Sequence, residues 1–272
     1  MRIHVALCMA LSVLATAGWC AALEPPTEGV PFDGESAYRV DIDEAALDPA
    51  ALTVSAWVKV RGTDASQVFV NRGKANALFT FYLYNGAVRM LVGHADGKYA
   101  YAKAPAPEPD TWVHYAGTYD GRTISVYRNG ALSEAVDAAG AMATTKDAVM
   151  LGALDARERF LDGEMADIRL WRRALSADEV AAVANGGAGG PLDEGLVARW
   201  TEAGRTPDAW AADGAPALKG VPMAKKGVLI NEKDDGYRGI WYYNQPSGDE
   251  YVYKYSGGLG TYCAKHIPHA WY

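Results

Sequence analysis

Between Phe32 and Gly220 apolar residues recur at every second position in short runs, and turn-forming pairs separate the runs. In Phe79-Thr-Phe-Tyr-Leu-Tyr84 the alternation puts Phe79 and Phe81 on one side of a strand and Tyr82 and Tyr84 on the other. Asn85-Gly86 accepts positive φ angles at little steric cost, so this run is predicted to turn back into Ala87-Val-Arg-Met-Leu-Val92. Trp112-Val-His-Tyr-Ala-Gly-Thr-Tyr119 follows the same logic: Val113, Tyr115 and Tyr119 share one face, Trp112 and His114 the other. Asp120-Gly121 carries it into Arg122–Arg128, and Asn129-Gly130 turns the chain again toward Ala131. Such meanders predict an all-β, antiparallel two-sheet sandwich.

One helix interrupts the strands. Ser176 with Glu179 three residues on is a capping box, Ala177–Ala184 is helix-prone, and Asn185-Gly186-Gly187 ends it. After a Gly-rich loop to Gly195, Leu196-Val-Ala-Arg-Trp200 reads as a returning strand. From Val228 the pattern changes. Half of the sixteen tyrosines lie between there and Tyr272, with Trp241 and Trp271, among turn formers such as Pro246-Ser247-Gly248-Asp249. A single such unit cannot cover its own sheet faces, so residues 228–272 are expected to open a second domain of which only a fragment is present. Residues 221–227, with the basic pair Lys225-Lys226, form the expected linker.

Composition narrows the class. The chain is 50% hydrophobic and 22% charged, ordinary for a globular protein, and its net charge of -7 argues against a nucleic-acid partner. At the N-terminus, Arg2 precedes the apolar run Ile3–Ala17, which is too short for a comfortable membrane span, and small residues follow. Residues 1–22 are therefore expected to be a secretory signal, cleaved after Ala17 or Ala22, with a secreted or periplasmic product and no transmembrane segment. Cys20 offers a lipid-anchored alternative, against which Trp19 is a poor fit. The mature chain retains Cys263, so no internal disulfide is expected.

Six blocks stand in a familiar order: Thr53–Val58, Trp112–Gly121, Val126–Gly130, Val149–Gly152, Phe160–Gly163 and Ile168–Ser176. Together they resemble the laminin-G-like, concanavalin-A-like jellyroll domain, here over residues 25–220. The resemblance implies two antiparallel sheets, often a calcium ion, and attachment to glycan-active enzymes or adhesins. A sugar-binding site needs aromatic faces for the apolar side of a ring and polar groups for its hydroxyls. Tyr82, Tyr84, Tyr99 and Tyr101 are the candidates for that role, whereas Trp57, Trp112 and Trp171 sit in the recurrent blocks as core. Asp33 and Asp167 are the carboxylates placed for calcium, although Ala166-Asp167 stands where the family has an acidic pair. His94 and His114 lack the spacing of a zinc site, and Asp162 reads as a turn residue before Gly163. The domain shows no nucleophile elbow, phosphate loop or paired catalytic carboxylates.

Gly236–Tyr242, Asp249–Gly260 and Ala264–Pro268 resemble the start of a BNR-repeat-type β-propeller, of the group that includes polysaccharide lyases similar to ulvan lyases. This implies β-elimination on a uronate-containing polysaccharide, which needs a base and groups that stabilise enolate-like charge. His266 is the candidate base, and Tyr262, Lys265, Arg238 and His269 are of suitable chemical type. The fragment itself is not expected to turn over substrate. Three roles follow in order: a glycan-binding module on a polysaccharide-degrading protein, a packing domain of a lyase or glycosidase, and a calcium-dependent adhesion module.

Overall fold

The computed structural model describes residues 23–40, 50–73, 78–155 and 158–204 with their side chains, and short backbone segments from there to Tyr242. Two antiparallel sheets pack face to face. In spatial order, one runs β10 (Ala131–Asp137), β9 (Thr123–Arg128), β8 (Val113–Tyr119), β3 (Leu52–Val60), β12 (Asp162–Trp171), β13 (Leu196–Thr206) and β14 (Ala209–Ala212). The short β1 (Val30–Asp33) also pairs with β12. The other sheet runs β15 (Val221–Pro222), β2 (Tyr38–Val40), β11 (Val149–Leu151), β4 (Gln67–Arg72), β5 (Phe79–Tyr84), β6 (Ala87–Gly93) and β7 (Tyr99–Pro105). The expected all-β, two-sheet jellyroll is thus present. Val221 and Pro222, at the start of the expected linker, pair with Arg39 and Tyr38 at the edge of the second sheet.

Alternation decides what faces inward. Phe79, Phe81 and Leu83 from β5, Val88, Met90 and Val92 from β6, and Val113, Tyr115 and Tyr119 from β8 all enter the core between the sheets. Gly117 completes the β8 series because a Cβ there would stand 2.7 Å from Met90. In the first sheet the central strands are buried on both faces: every residue of β8 is buried, and all but Lys59 in β3. In β7 of the second sheet, exposed residues 99, 101, 103 and 105 alternate with less exposed ones, the signature of one wet face.

The turns follow their sequence signals with one difference. Asn85 and Gly86 (φ 47° and 68°) and Asn129 and Gly130 (φ 53° and 79°) adopt the positive angles that a two-residue hairpin demands. Asp120-Gly121 builds a wider loop, in which Asp120 Oδ1 accepts hydrogen bonds from the backbone N–H groups of Arg122 and Thr123 and only Gly121 has positive φ. A carboxylate that can bond the backbone two and three residues on favours this wider geometry.

α1 (Ala177–Ala184) has the predicted capping box at Ser176 and Glu179 and lies against the outer face of the first sheet. Val180, Val183, Leu175 and Leu192 pack there on Ala116, Tyr127 and Trp171. Polar anchors fix this cover. Trp171 Nε1 donates to the Leu192 carbonyl at 2.7 Å, and Arg169, buried in the sheet, donates to the Gly187 carbonyl at 2.6 Å. Arg173 binds the Glu179 carboxylate with both nitrogens of its fork and also reaches the Glu194 and Pro191 carbonyls.

The expected signal, residues 1–22, lies outside the described residues. Of the expected propeller start, only the backbone pairing of β16 (Val228–Ile230) with β17 (Ile240–Tyr242) is described. His266, Tyr262, Lys265, Arg238 and His269 lie outside the described residues. Among the described residues no helix is long and apolar enough to cross a membrane.

Candidate functional site

The second sheet leaves its outer face open at the Tyr84 end of β5, at Ala87 and Arg89 of β6, and along β7. The two-residue turn sets Tyr84 opposite Ala87 and Tyr82 opposite Arg89, and the β6–β7 register sets Lys103 opposite Arg89 and Tyr101 opposite Leu91. Tyr84, Arg89, Tyr101 and Lys103 therefore project from the same face, with Tyr99 farther along it. Tyr84, Tyr99 and Tyr101 are 40%, 53% and 39% exposed, three of the four large hydrophobic side chains exposed among the described residues.

Arg89 organises this face. Its guanidinium carbon lies 4.9 Å from the ring centroid of Tyr84 and 4.9 Å from that of Tyr101, so the cation is held between two aromatic rings. Each contact is worth about 0.5–1 kcal/mol at an exposed site. Burial raises the Tyr82 phenol above its ordinary pKa, with the nearby Arg89 cation opposing the shift. Arg89 Nε is buried and has no protein hydrogen-bond partner.

The structure separates the four predicted tyrosines. Tyr82 does face outward, but it is only 7% exposed because Leu154 folds over it with Val68 and Leu91. Asn71 fixes that loop by donating to the Leu154 carbonyl at 2.7 Å. Tyr82 thus supports Tyr84, its ring centroid 6.5 Å away, and offers no free face to a sugar. Tyr84 and Tyr101 keep the predicted exposure on either side of Arg89, and Tyr99 lies at the rim. Arg89 is the residue that alternation of aromatics missed; the Asn85-Gly86 register, which places it opposite Tyr82, is the signal that finds it.

Tyr99 also borders a cleft of about 650 Å³ between the β6–β7 turn and the segment following β10. His94, Asp96, Lys98, Asp137 and Gly140 contribute to its lining. Asp96 and Lys98 form an ion pair at 2.9 Å, and the His94 ring meets Tyr119 edge-on at 5.9 Å between centroids.

Asp33 and Asp167 do not form the expected calcium pair. Asp33 lies opposite Asp162 at one end of β12, five residues from Asp167, or about 17 Å along the strand at ~3.3 Å per residue. Its Oδ1 closes a local turn, accepting from Glu35 N, Ser36 N and Ser36 Oγ. Asp167 sits at a bulge of β12 with φ 46°, and its carboxylate is bound by Arg169 at 2.9 and 2.6 Å and by Arg199 at 2.7 Å. Burial alone would raise the Asp167 carboxyl, but the two arginines outweigh it and hold it below the usual carboxylate range. Among the described residues no cluster of His, Cys, Asp or Glu could hold a metal ion. Asp162 opens β12, paired with Arg61, so its role exceeds that of a turn residue.

His114 lies on the face opposite Val113 and Tyr115, as alternation predicts, which is the outer face of the first sheet, and it is buried beside Trp57, at 5.5 Å between ring centroids. Neither ring nitrogen has a protein hydrogen-bond partner, and burial pushes the imidazole down to about 3. Nearby Asp167 pulls it up and Arg169 pushes it down. A neutral imidazole in this position is part of the packing.

Two antiparallel sheets packed face to face, with a helix over part of one outer face, make a concanavalin A-like sandwich. The chain belongs to the concanavalin A-like lectin/glucanases superfamily, whose model matches residues 33–181. Among solved structures, a candidate carbohydrate binding protein from Bacteroides ovatus is similar at 15% identity and a TM-score of 0.57, over 73% of this chain and 60% of its own. The CBM40 of a Ruminococcus gnavus IT-sialidase, bound to α2,3-sialyllactose, is similar at 23% identity and a TM-score of 0.49, over 59% of this chain and 97% of its own. This chain therefore spans less than two thirds of the Bacteroides protein, and at these identities the likeness is one of fold. No curated protein matches the chain.

Proposed function

We propose that this chain is a secreted or periplasmic glycan-binding module that holds an attached polysaccharide-degrading domain near its polymer. The pair of exposed tyrosines clamped about Arg89 carries this reading. Large aromatic faces exposed together are unusual on a surface without a partner. Because the cation fixes both rings, little side-chain freedom remains to be lost on binding. A sugar ring can lay its C–H face on Tyr84 or Tyr101 while its hydroxyls meet Arg89. The family and the Bacteroides fold relative, named for carbohydrate binding, agree with this role. The module acts by tethering, which raises the effective concentration of polymer at the attached domain; the propeller-like tail, with His266 as candidate base, would supply the chemistry in the longer protein.

Affinity electrophoresis of the full chain in gels containing plant and algal polysaccharides tests the assignment. Retardation by at least one polymer is expected, with Tyr84→Ala and Tyr101→Ala each weakening it about tenfold, the effect of losing ~1.4 kcal/mol of ring contact. Retardation that survives both substitutions unchanged would remove the site from this face.

A further inference from the structure

We infer that the tyrosine face selects acidic glycans, with Arg89 gripping a carboxylate or sulfate group of the polymer that lies across it. This rests on the glycan-binding reading above and adds the charge of the ligand.

The observation behind it is an unpaired cation in a built position. Arg61, Arg169, Arg173 and Arg199 each have a carboxylate partner, whereas among the described residues none pairs with Arg89. Its guanidinium lies against two aromatic faces, which leave the terminal N–H donors free for a ligand. Flanking rings also keep water from the faces of the ion, so an approaching anion meets a cation that is already partly desolvated. A planar fork held in this way matches the paired oxygens of a carboxylate or sulfate, which a neutral hydroxyl cannot reproduce.

The surroundings reinforce the choice. Lys103 stands directly across from Arg89 with its side chain exposed, and its ammonium enters no ion pair among the described residues. Arg159, on the loop that covers Tyr82, is close enough for its charge to act on that phenol. The chain as a whole carries a net charge of -7, so a polyanion is repelled in general and attraction has to be local.

Two matched pairs of polymers separate charge from shape: polygalacturonate against its methyl ester, and dextran sulfate against dextran. The full chain and its Arg89→Gln and Lys103→Gln variants would be titrated with each by calorimetry at 50 and 300 mM salt. At least one acidic polymer is expected to bind tenfold or more tightly than its neutral counterpart. Arg89→Gln should weaken that binding about 10- to 100-fold, the range for a charge-assisted hydrogen bond, and flatten its salt dependence. Lys103→Gln, on an exposed strand position that cannot disturb folding, should weaken it about two- to fivefold. Preference for polygalacturonate identifies the carboxylate as the bound group; preference for dextran sulfate identifies the sulfate. Equal binding of charged and neutral partners, with both variants indifferent to charge, overturns the inference while leaving glycan binding at this face intact. If acidic polymers bind but neither variant weakens them, the inference also falls. Failure of every polymer, here and in the electrophoresis, removes the glycan reading itself.

Discussion

The two outer faces of this sandwich are built from the same kind of strand and end in opposite states. On the first sheet, α1 and the loop after it cover Ala116, Tyr127 and Trp171, and buried polar groups anchor that cover: Trp171 to the Leu192 carbonyl, Arg169 to Gly187 and Asp167. On the second sheet, a single loop reaches only as far as Tyr82, leaving Tyr84, Tyr99 and Tyr101 in solvent around Arg89. Burial makes the first face a source of stability. Exposure makes the second a place where a ligand can complete the packing. Outward-facing aromatic residues therefore carry no fixed meaning in this fold: Trp171 and Tyr84 both point away from the core, and only long-range cover distinguishes them.

Trp171→Ala gives the sharpest separation of the two faces. It deletes a fully buried ring and its bond to Leu192, and should cost about 3–5 kcal/mol in urea denaturation. A cost below about 1 kcal/mol would mean that the helix and loop contribute little to the fold. The pH dependence of stability gives an intermediate effect. Because burial drops the His114 imidazole to about 3, between its unfolded pKa of about 6.5 and that value the unfolded chain binds a proton that the folded chain refuses. Stability should therefore fall by about 1.4 kcal/mol for each pH unit descended through this window. Asp167, held below the usual carboxylate range by its arginines, contributes above its unfolded pKa and loses that contribution only at lower pH. Denaturation midpoints between pH 7 and 4, compared for the native chain and His114→Met, isolate the histidine; parallel curves would place His114 in contact with water. The smallest effect belongs to the open face. Tyr101→Ala should change stability by about 0.5 kcal/mol or less, measured by the same denaturation, and a loss above 2 kcal/mol would make that ring part of the core.

Much of the fold was legible because it is locally encoded. Alternation in residues 79–84 and 112–119 grouped the residues of each face correctly, although it left open which face of 112–119 turns inward, and the Ser176–Glu179 box and both Asn-Gly turns fixed their elements to the residue. The candidate site was legible in part. Alternation found the face bearing Tyr84 and Tyr101, but it could not show that Leu154, seventy-two residues beyond Tyr82, would cover that ring. Nor could spacing show that Asp167 would be engaged by Arg169 two residues on and Arg199 thirty-two residues on. Both corrections depend on contacts between distant segments, which a pattern with a period of two does not contain. Arg89 was recoverable, since the hairpin register alone places it across from Tyr82.

The edge beside the platform has a consequence for assembly. β7 ends the second sheet, and such a strand ordinarily offers free N–H groups on which a neighbouring molecule's strand can zip. Here the N–H of Lys103 donates at 2.7 Å to the carboxylate of Glu134, brought in from β10, whose pairing with β9 shifts register between Leu132 and Glu134. A negative charge thus occupies the place where a foreign carbonyl would dock. Were copies to crowd along one polymer strand, as the proposed function implies, this edge would already be guarded against fibre growth.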